Sequence, residues 1–393
     1  MNSFWRTVPL LAICQALMMS AASLIIATAA LVGASLAEDK SLATLPLAAQ
    51  FIAIMLTSIP AAMLMQRIGR KPAFMFATLF GVCGGVLTTT AIIQGEFWLF
   101  VAGTACVGVF NGFGNYFRFA AADAVELDLK SRAISYVMVG GVIAAIVGPN
   151  LARITKDTIE SAAFAGSYAS IIALYILSFA VLAFVQLPKS GSQDKQQTVH
   201  ANARRLKEIA LQPKFIVALI CGMFGYGVMT LVMTATPLAM DHSHHHFDDT
   251  SFVIQWHVLG MFAPSFFTGH LIRRYGVLNI MFIGGLMGVA CVVINLLGTS
   301  VAHFWFALVL LGISWNFLFI GATTLLTETY RPEEQTRAQA INDFAIFTTV
   351  ALSSLSAGAL QHHYGWQAVN YGVSPLLILI LGSILWLIWK KSD

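Results

Sequence analysis

The chain has 393 residues, of which 58% are hydrophobic and only 10% are charged. A soluble domain carries roughly 25% charged residues, so this composition excludes a soluble protein and indicates a polytopic membrane protein. The net charge of +4 is explained by Lys and Arg beside membrane spans, and we expect no nucleic-acid partner. The five cysteines lie inside apolar stretches without metal-ligand spacing, so we expect no disulfide, zinc site or cofactor.

Twelve apolar stretches follow one another along the chain, each long enough to cross the hydrocarbon core of a bilayer as a helix. The first resembles a secretory leader ending near Ser35, but it exceeds the roughly 7 to 15 apolar residues of such a leader. We therefore predict that it is the first span. The predicted spans are 7–36, 43–65, 73–94, 98–122, 133–152, 163–187, 214–240, 251–272, 277–298, 301–326, 339–360 and 367–389.

Basic residues fix the predicted orientation. Most of the 22 lysines and arginines lie in alternate gaps between spans, which places those gaps and both termini in the cytoplasm of a bacterial inner membrane. The longest polar stretch divides the spans six and six, which predicts a bundle at 1–188, a cytoplasmic linker at 189–213 and a second bundle at 214–393. Within the linker, 201–211 forms either a short basic helix on the lipid surface or a solvated tether.

Short motifs at equivalent places in the two halves indicate an internal duplication. The matched pairs, 205 or 207 positions apart, are Arg67-Ile68-Gly69 with Arg274-Tyr275-Gly276, Arg132-Ala133 with Arg337-Ala338, Asn111 with Asn316, and Asp123 with Glu328. Duplicated bundles are common in transporters, where the substrate site lies between the two copies.

The segment 62–71 resembles the loop 2–3 signature of the major facilitator superfamily. That signature reads glycine, three variable residues, aspartate, arginine, a variable residue, glycine, arginine and a basic residue; here Ala62 stands at the first glycine and Gln66 at the aspartate. The resemblance implies an all-α membrane protein with twelve transmembrane helices in two pseudo-symmetric six-helix bundles. It also implies a central cavity lined by spans 1, 2, 4, 5, 7, 8, 10 and 11.

Charged residues at the predicted cytoplasmic ends of the spans are candidates for a gate, because partial desolvation there strengthens ion pairs. We expect Arg67, Arg70 or Lys71 to meet Asp123 or Glu126, and Arg274 to meet Glu328. Simple anchoring at the membrane interface is the alternative. The predicted gate residues are Gln66, Arg67, Gly69, Arg70, Lys71, Asp123, Arg274, Glu328 and Asp343, the last facing Gln66 or Arg67.

Polar side chains deep in lipid are functional candidates because their burial is costly. Asn111, Asn115 and Arg118 share one face of a continuous helix, and His257 can titrate near neutral pH. The candidates either line a substrate cavity or hydrogen-bond neighbouring helices. They are Gln15, Asn111, Asn115, Arg118, Tyr226, Gln255, Trp256, His257, Trp315, Asn316 and Thr323, with His257, Asp123 and Asp343 as proton carriers.

Two further motifs suggest function. Gly148 and Pro149 in span five partly resemble the signature of the superfamily's antiporters, and they predict a hinge and favour export. The segment 241–249 between spans seven and eight carries His242, His244, His245 and His246. These histidines either bind a transition metal or are merely tolerated in a loop.

No phosphate-binding glycine loop and no catalytic motif is present, so we expect a secondary transporter and no enzyme. The prediction is a monomer that moves a small organic solute by alternating access, as a proton-coupled exporter. The alternatives are an importer of a metal chelate such as a siderophore, or of another metabolite, and a membrane receptor or scaffold that transports nothing.

Overall fold

A computed structural model describes residues 3–126, 129–187, 204, 206–331 and 334–392. Apart from short 3-10 turns, every regular element in these residues is an α-helix. The helices are α1 (Ser3–Leu36), α2 (Leu45–Ile68), α3 (Arg70–Gln94), α4 (Phe97–Gly114), α5 (Phe117–Asp123), α6 (Lys130–Thr155), α7 (Ala165–Phe184), α8 (Leu206–Ala210), α9 (Pro213–His242), α10 (Phe247–Phe262), α11 (Ser265–Tyr275), α12 (Val277–Leu297), α13 (Val301–Thr327) and α14 (Gln335–Ser392).

Within the described ranges, ten helical stretches are long and apolar enough to cross a membrane. The predicted eighth span does not count among them because it is divided into α10 and α11, each shorter than a full crossing. The eleventh and twelfth spans count once because α14 joins them across Gly365, whose φ of 76° interrupts the helical backbone. The predicted set of twelve spans therefore matches the observed helices.

Two spans predicted as continuous helices are broken. The fourth divides at Asn115 and Tyr116, after the weakly helix-forming sequence 111–115 with its two glycines and two asparagines. The eighth divides at Ala263 and Pro264, since proline has no N–H for the helical ladder. Backbone bonds at each break, such as Asn115 N–H to Asn111 O at 3.1 Å, satisfy part of the interrupted ladder.

The chain divides into two compact units. The first comprises Met1–Lys195 with Thr250–Gln255, and the second comprises Gln196–Asp249 with Trp256–Asp393. Most of the predicted linker lies outside the described residues, since Arg204 alone is described between 188 and 205.

Glycines allow very close helix contacts in the first unit. A Cβ on Gly148 of α6 would lie 2.5 Å from the carbonyl oxygen of Ser20 in α1, and one on Gly84 of α3 would lie 2.7 Å from that of Gly103 in α4. Small residues permit such approaches in lipid, where van der Waals packing drives helix association. Helix α6 continues through Pro149 to Thr155, so the glycine beside it serves packing, and the hinge stays a prediction.

The duplicated motifs have matching backbones in the two units. Gly69 separates α2 from α3 with φ 91° and ψ 158°, and Gly276 separates α11 from α12 with φ 86° and ψ 148°. Residues with a side chain rarely adopt this positive φ. The two glycines therefore make the same tight turn, as the internal repeat predicts.

Many large apolar side chains are exposed on the helix surfaces. Ile59, Phe184 and Ile378, for example, retain 69%, 74% and 70% of their accessible area. Such exposure on so many helices is unfavourable in water but not in hydrocarbon. These helix faces are therefore suited to lipid.

Arg204 attaches the end of the predicted linker to the second unit. Its guanidinium forms two hydrogen bonds with Glu334, Nε to Oε1 at 3.0 Å and Nη2 to Oε2 at 2.7 Å, and Nη2 also donates to the carbonyl of Thr329. Glu334 is buried, and it also accepts from the backbone N–H groups of Arg204 and Arg331. A protein carboxylate therefore binds the donors of Arg204, and the choice between a basic helix on the lipid surface and a solvated tether for 201–211 stays open, with α8 (Leu206–Ala210) as the helix in that segment.

The Arg204 guanidinium and the two backbone donors lower the pKa of Glu334 from 4.5 to about 2. A carboxylate with a depressed pKa stabilises the fold fully above its ordinary pKa and loses that contribution as the pH falls toward the folded value. This contribution is therefore lost between pH 4.5 and about 2.

We predict that Glu334→Gln lowers the melting temperature of the detergent-purified protein by a few degrees at pH 7, because two charge-assisted hydrogen bonds are weakened. The difference from wild type should shrink below pH 4.5. Glu328→Gln is the control, since its ion pair with Lys214 is half-exposed and worth little. Equal melting temperatures for Glu334→Gln and wild type at pH 7 would contradict the prediction.

Candidate functional site

Two predicted gate residues of the first unit form an ion pair. Arg70 Nη2 lies 2.5 Å from Asp123 Oδ2, which connects the start of α3 to the end of the short helix α5. Lys71 instead donates from Nζ to the carbonyl oxygen of Ala183, at 2.7 Å, near the end of α7. Gln66 and Arg67 are exposed at the end of α2. The gating role of these residues stays a prediction.

The second unit uses a different cation at the equivalent place. Glu328 pairs with Lys214 at the start of α9, with Nζ and Oε2 2.6 Å apart, and the expected partner Arg274 lies over the ring of Tyr275. The predicted Arg274–Glu328 pair is therefore wrong, and Lys214 is the partner of Glu328. The position 207 residues after Arg70 is Val277, so the start of α12 offers no cation to match the one at the start of α3.

The remaining acidic candidate for the gate, Asp343, lies in the first part of α14. Its carboxylate accepts a hydrogen bond from the side-chain amide of Asn342 at 3.2 Å. Its predicted contact with Gln66 or Arg67 stays a prediction.

The three polar residues of span four do not share one helical face. Asn111 is buried near the end of α4, and its side-chain oxygen has no hydrogen-bond partner among the described residues. Asn115 and Arg118 are exposed at and after the helix break, and the Arg118 guanidinium lies 4.8 Å from the ring centre of Phe119. The predicted spacing assumes a continuous helix, and the turn at 115–116 changes the directions of the side chains.

Two other candidates bond to their own helices. Gln15 of α1 is buried, and its amide nitrogen lies 3.0 Å from the sulfur of Met19. Thr323 of α13 is exposed and donates to the carbonyl of Phe319 at 2.8 Å.

Helix α10 contributes two polar contacts to the first unit. Ser251 donates to the carbonyl of Pro149 at 2.7 Å, and the side-chain amide of Asn150 donates to Gln255 at 2.6 Å. The sequence prediction found Gln255 but missed Ser251 and Asn150. Trp256 is exposed at the next position, with its ring 5.8 Å from that of Trp305 in an edge-to-face arrangement.

His257 is fully buried in α10, in the second unit. Its Nδ1 lies 2.8 Å from the carbonyl oxygen of Leu308 in α13. Because a carbonyl oxygen only accepts, Nδ1 carries a hydrogen and donates it. Nε2 has no partner among the described residues, so it presents a buried lone pair that a proton or a ligand donor can occupy.

Asn316 forms a buried hydrogen-bond network with the region of the α10–α11 break. Its Nδ2 donates to the carbonyl of Met261 at 2.7 Å and to Ser265 Oγ at 2.6 Å, while its Oδ1 accepts from Thr268 at 2.7 Å. The amide therefore satisfies one of the carbonyls near Pro264. The sequence analysis missed Ser265 and Thr268, although hydroxyls beside a proline in a span are the usual partners of interrupted backbone.

Four aromatic rings form a cluster next to this network. Trp315 and Phe319 of α13 stack with centroids 5.0 Å apart and planes within 8°, and Tyr226 of α9 lies 5.3 Å from Trp315 and 5.6 Å from Phe319. Phe262 of α10 meets Trp315 edge-on at 6.1 Å. Phe319 and Phe262 were absent from the predicted set; the spacing of Phe319, four residues after Trp315, could have identified it.

The histidine-rich segment has other contacts. His245 Nε2 lies 2.6 Å from the carbonyl oxygen of Thr299, and the rings of His362 and His363 lie 4.9 Å apart. Among the residues that the structure describes, no group of three or more His, Cys, Asp or Glu side chains is placed to hold a metal ion. A metal role for His242, His244, His245 and His246 stays a prediction.

Comparison with known proteins identifies the family. The Major Facilitator Superfamily profile matches residues 11–294 and 218–393. A riboflavin transporter of Brucella anthropi, RfnT, is 43% identical over 376 residues, which cover 96% of this chain and 94% of the relative. An uncharacterized MFS-type transporter of Bacillus subtilis, YddS, is 25% identical over 374 residues, or 90% of this chain and 85% of that one.

The fold agrees with a solved transporter structure. The nucleoside transporter NupG, crystallised as a single-residue mutant, superposes with a TM-score of 0.74 over 98% of this chain and 99% of NupG, at 12% identity. At this identity the likeness shows the fold alone, and the predicted architecture of twelve transmembrane helices in two six-helix bundles is confirmed. The chain is a multi-pass membrane transporter and not an enzyme, and it belongs to the major facilitator superfamily.

Proposed function

We propose that this protein transports riboflavin or a closely related metabolite across the membrane. The observation that carries the proposal is the 43% identity to a riboflavin transporter over nearly the whole of both chains. The aromatic cluster of the second unit fits such a cargo, because riboflavin joins a flat heteroaromatic ring to a polyol chain. Such a ring is recognised by aromatic side chains with a few polar groups that fix its orientation.

Alternating access is the proposed mechanism. The Arg70–Asp123 pair holds α5 against α3, and α5 is separated from α4 by the turn at 115–116. The Lys214–Glu328 pair connects α9 to the end of α13 in the other unit. Such pairs favour one of two states and must break or exchange when the bundle ends move.

Direction, coupling and placement complete the proposal. Export against protons rests on the glycine and proline pattern of α6 and on the buried lone pair of His257. The placement of Lys and Arg supports a bacterial inner membrane with both termini cytoplasmic, and we propose a monomer. Import of a metal chelate gains no support from the geometry of the described histidines.

We predict that purified protein in liposomes moves riboflavin in a saturable manner, measured by the fluorescence of the flavin. An imposed pH gradient should drive accumulation on the acidic side if protons are exchanged for the flavin. Protein-free liposomes control for leakage, and excess ribitol, which has no flavin ring, controls for effects of added polyol. Absence of flavin movement in both directions, with and without a gradient, would disprove the function proposed here.

We predict that Arg70→Glu lowers the transport rate at least about tenfold, because the new carboxylate repels Asp123 at a place where like charges are costly. The double change Arg70→Asp with Asp123→Arg should restore much of the rate by reversing the pair. Arg153→Glu, an exposed change at the end of α6, is the matched control. Full activity of Arg70→Glu would leave this pair without a gating role.

We predict that His257→Gln flattens the pH dependence of transport, because glutamine still donates to a carbonyl but does not titrate. The measurement is the initial flux between pH 4 and 8. His270→Gln, at an exposed position of α11, controls for loss of a histidine. An unchanged pH profile in His257→Gln would remove this residue from proton coupling.

A further inference from the structure

The stacked rings of α13 project between α9 and α10. Leu318 of α13 meets the backbone of Gly225 in α9, and Gly312 meets the backbone of α10 at His257. Ser314 and Phe317 lie against Gly284 of α12, and Leu318 borders this contact as well. At 100° per residue, Trp315 and Phe319 fall between the faces that contact α9 and α10, well away from α12.

Some rings of the cluster are partly exposed and one is buried. Tyr226 and Phe319 are half-buried, whereas Trp315 behind them retains 8% of its accessible area. A flat ligand ring can therefore approach Tyr226 and Phe319, and the buried indole of Trp315 forms the floor. Aromatic faces bind such rings in offset stacks.

Trp315 also has an unused donor. Its Nε1–H is buried and has no acceptor among the described residues. A buried N–H without a partner costs free energy, and native proteins rarely leave one unmatched. A ligand with a carbonyl or ring nitrogen at its edge would supply the acceptor once the rings around Nε1 move apart to admit it.

The neighbouring network holds this floor in place. Asn316, the next residue, uses both Nδ2 hydrogens and its Oδ1 in bonds to Met261, Ser265 and Thr268. These bonds fix α13 against the α10–α11 break. The ring of Phe262 packs against Trp315 in an edge-to-face contact, with the ring centroids 6.1 Å apart. A binding surface that is already rigid loses less conformational entropy when the ligand binds.

We infer that Tyr226, Trp315 and Phe319 are the specificity-determining subsite for the flat heteroaromatic ring of the cargo, with the Trp315 indole donating to an edge acceptor. The inference rests on the proposed function and deepens it. The isoalloxazine ring of riboflavin is planar and carries carbonyl oxygens along one edge. It can therefore stack on the aromatic rings and accept the hydrogen bond from Trp315. The polyol chain is then bound elsewhere, and ring-only flavins should occupy the subsite.

The test uses two substitutions and one control in the full-length protein. Trp315→Phe keeps a ring but removes the donor, and Phe319→Leu removes a stacking face. Trp305→Phe makes the same chemical change ten residues earlier on α13, at a tryptophan outside the cluster. Melting temperatures show whether each variant is folded.

The readouts are the KM for riboflavin flux and competition by two fragments, lumichrome as the ring alone and ribitol as the chain alone. We expect KM to rise about 3- to 10-fold in Trp315→Phe, as for the loss of one neutral hydrogen bond. In Phe319→Leu we expect a rise of about 10-fold or more, as for the loss of a stacking partner. Lumichrome should inhibit wild type strongly and both cluster variants weakly, and Trp305→Phe should behave as wild type.

Unchanged KM and unchanged lumichrome inhibition in both folded cluster variants would overturn the subsite. Lumichrome binding to detergent-purified protein, followed by quenching of tryptophan emission, separates the two proposals. If wild type moves no riboflavin but lumichrome quenches wild type and not Phe319→Leu, which keeps every tryptophan, the subsite stands and the cargo is a different heteroaromatic. If neither flux nor quenching is seen, both proposals fail.

Discussion

The requirement that every backbone N–H and C=O be satisfied inside lipid governs this structure. It limits the chain to helices, and it makes each interruption of a helix costly unless polar groups stand nearby. The two broken spans satisfy their interrupted backbones in different ways. At Pro264 the amide of Asn316 and the hydroxyls of Ser265 and Thr268 surround the interrupted backbone, whereas at Asn115 the ladder closes by tighter bonds to its own helix.

The same requirement explains why the polar residues of the second unit occur together. Asn316 bonds to the break, Trp315 beside it meets Phe262 of α10, and Leu308, two turns earlier on α13, accepts the hydrogen bond from His257. One helix therefore carries structural bonds and free polar atoms within a few residues. Two polar atoms of these spans, Trp315 Nε1 and His257 Nε2, have no partner among the described residues, and the roles proposed for them with a ligand and a proton start from that observation.

Hydropathy predicted the spans, and the repeated motif predicted the turn glycines, because span length and backbone sterics depend on the local sequence. Hydropathy did not predict the break at Asn115, since it ignores the backbone ladder. The partner of Glu328 was wrong because several cations lie near that membrane face and tertiary packing selects Lys214. Phe319 was missed because an apolar ring in a span was taken as lipid-facing, although its position four residues after Trp315 places both rings on one helix face.

The equivalent glycines at 69 and 276 have a consequence for how sequence variation is distributed. Both turns need a backbone that only glycine adopts readily, so each half of the duplicated chain carries its own copy of one steric constraint. A complete map of tolerated substitutions should then show two intolerant positions separated by a fixed offset. Beyond the matched Arg67 and Arg274, the nearby basic residues differ between the halves; they are under no such shared constraint and can diverge as each half acquires its own ion pairs.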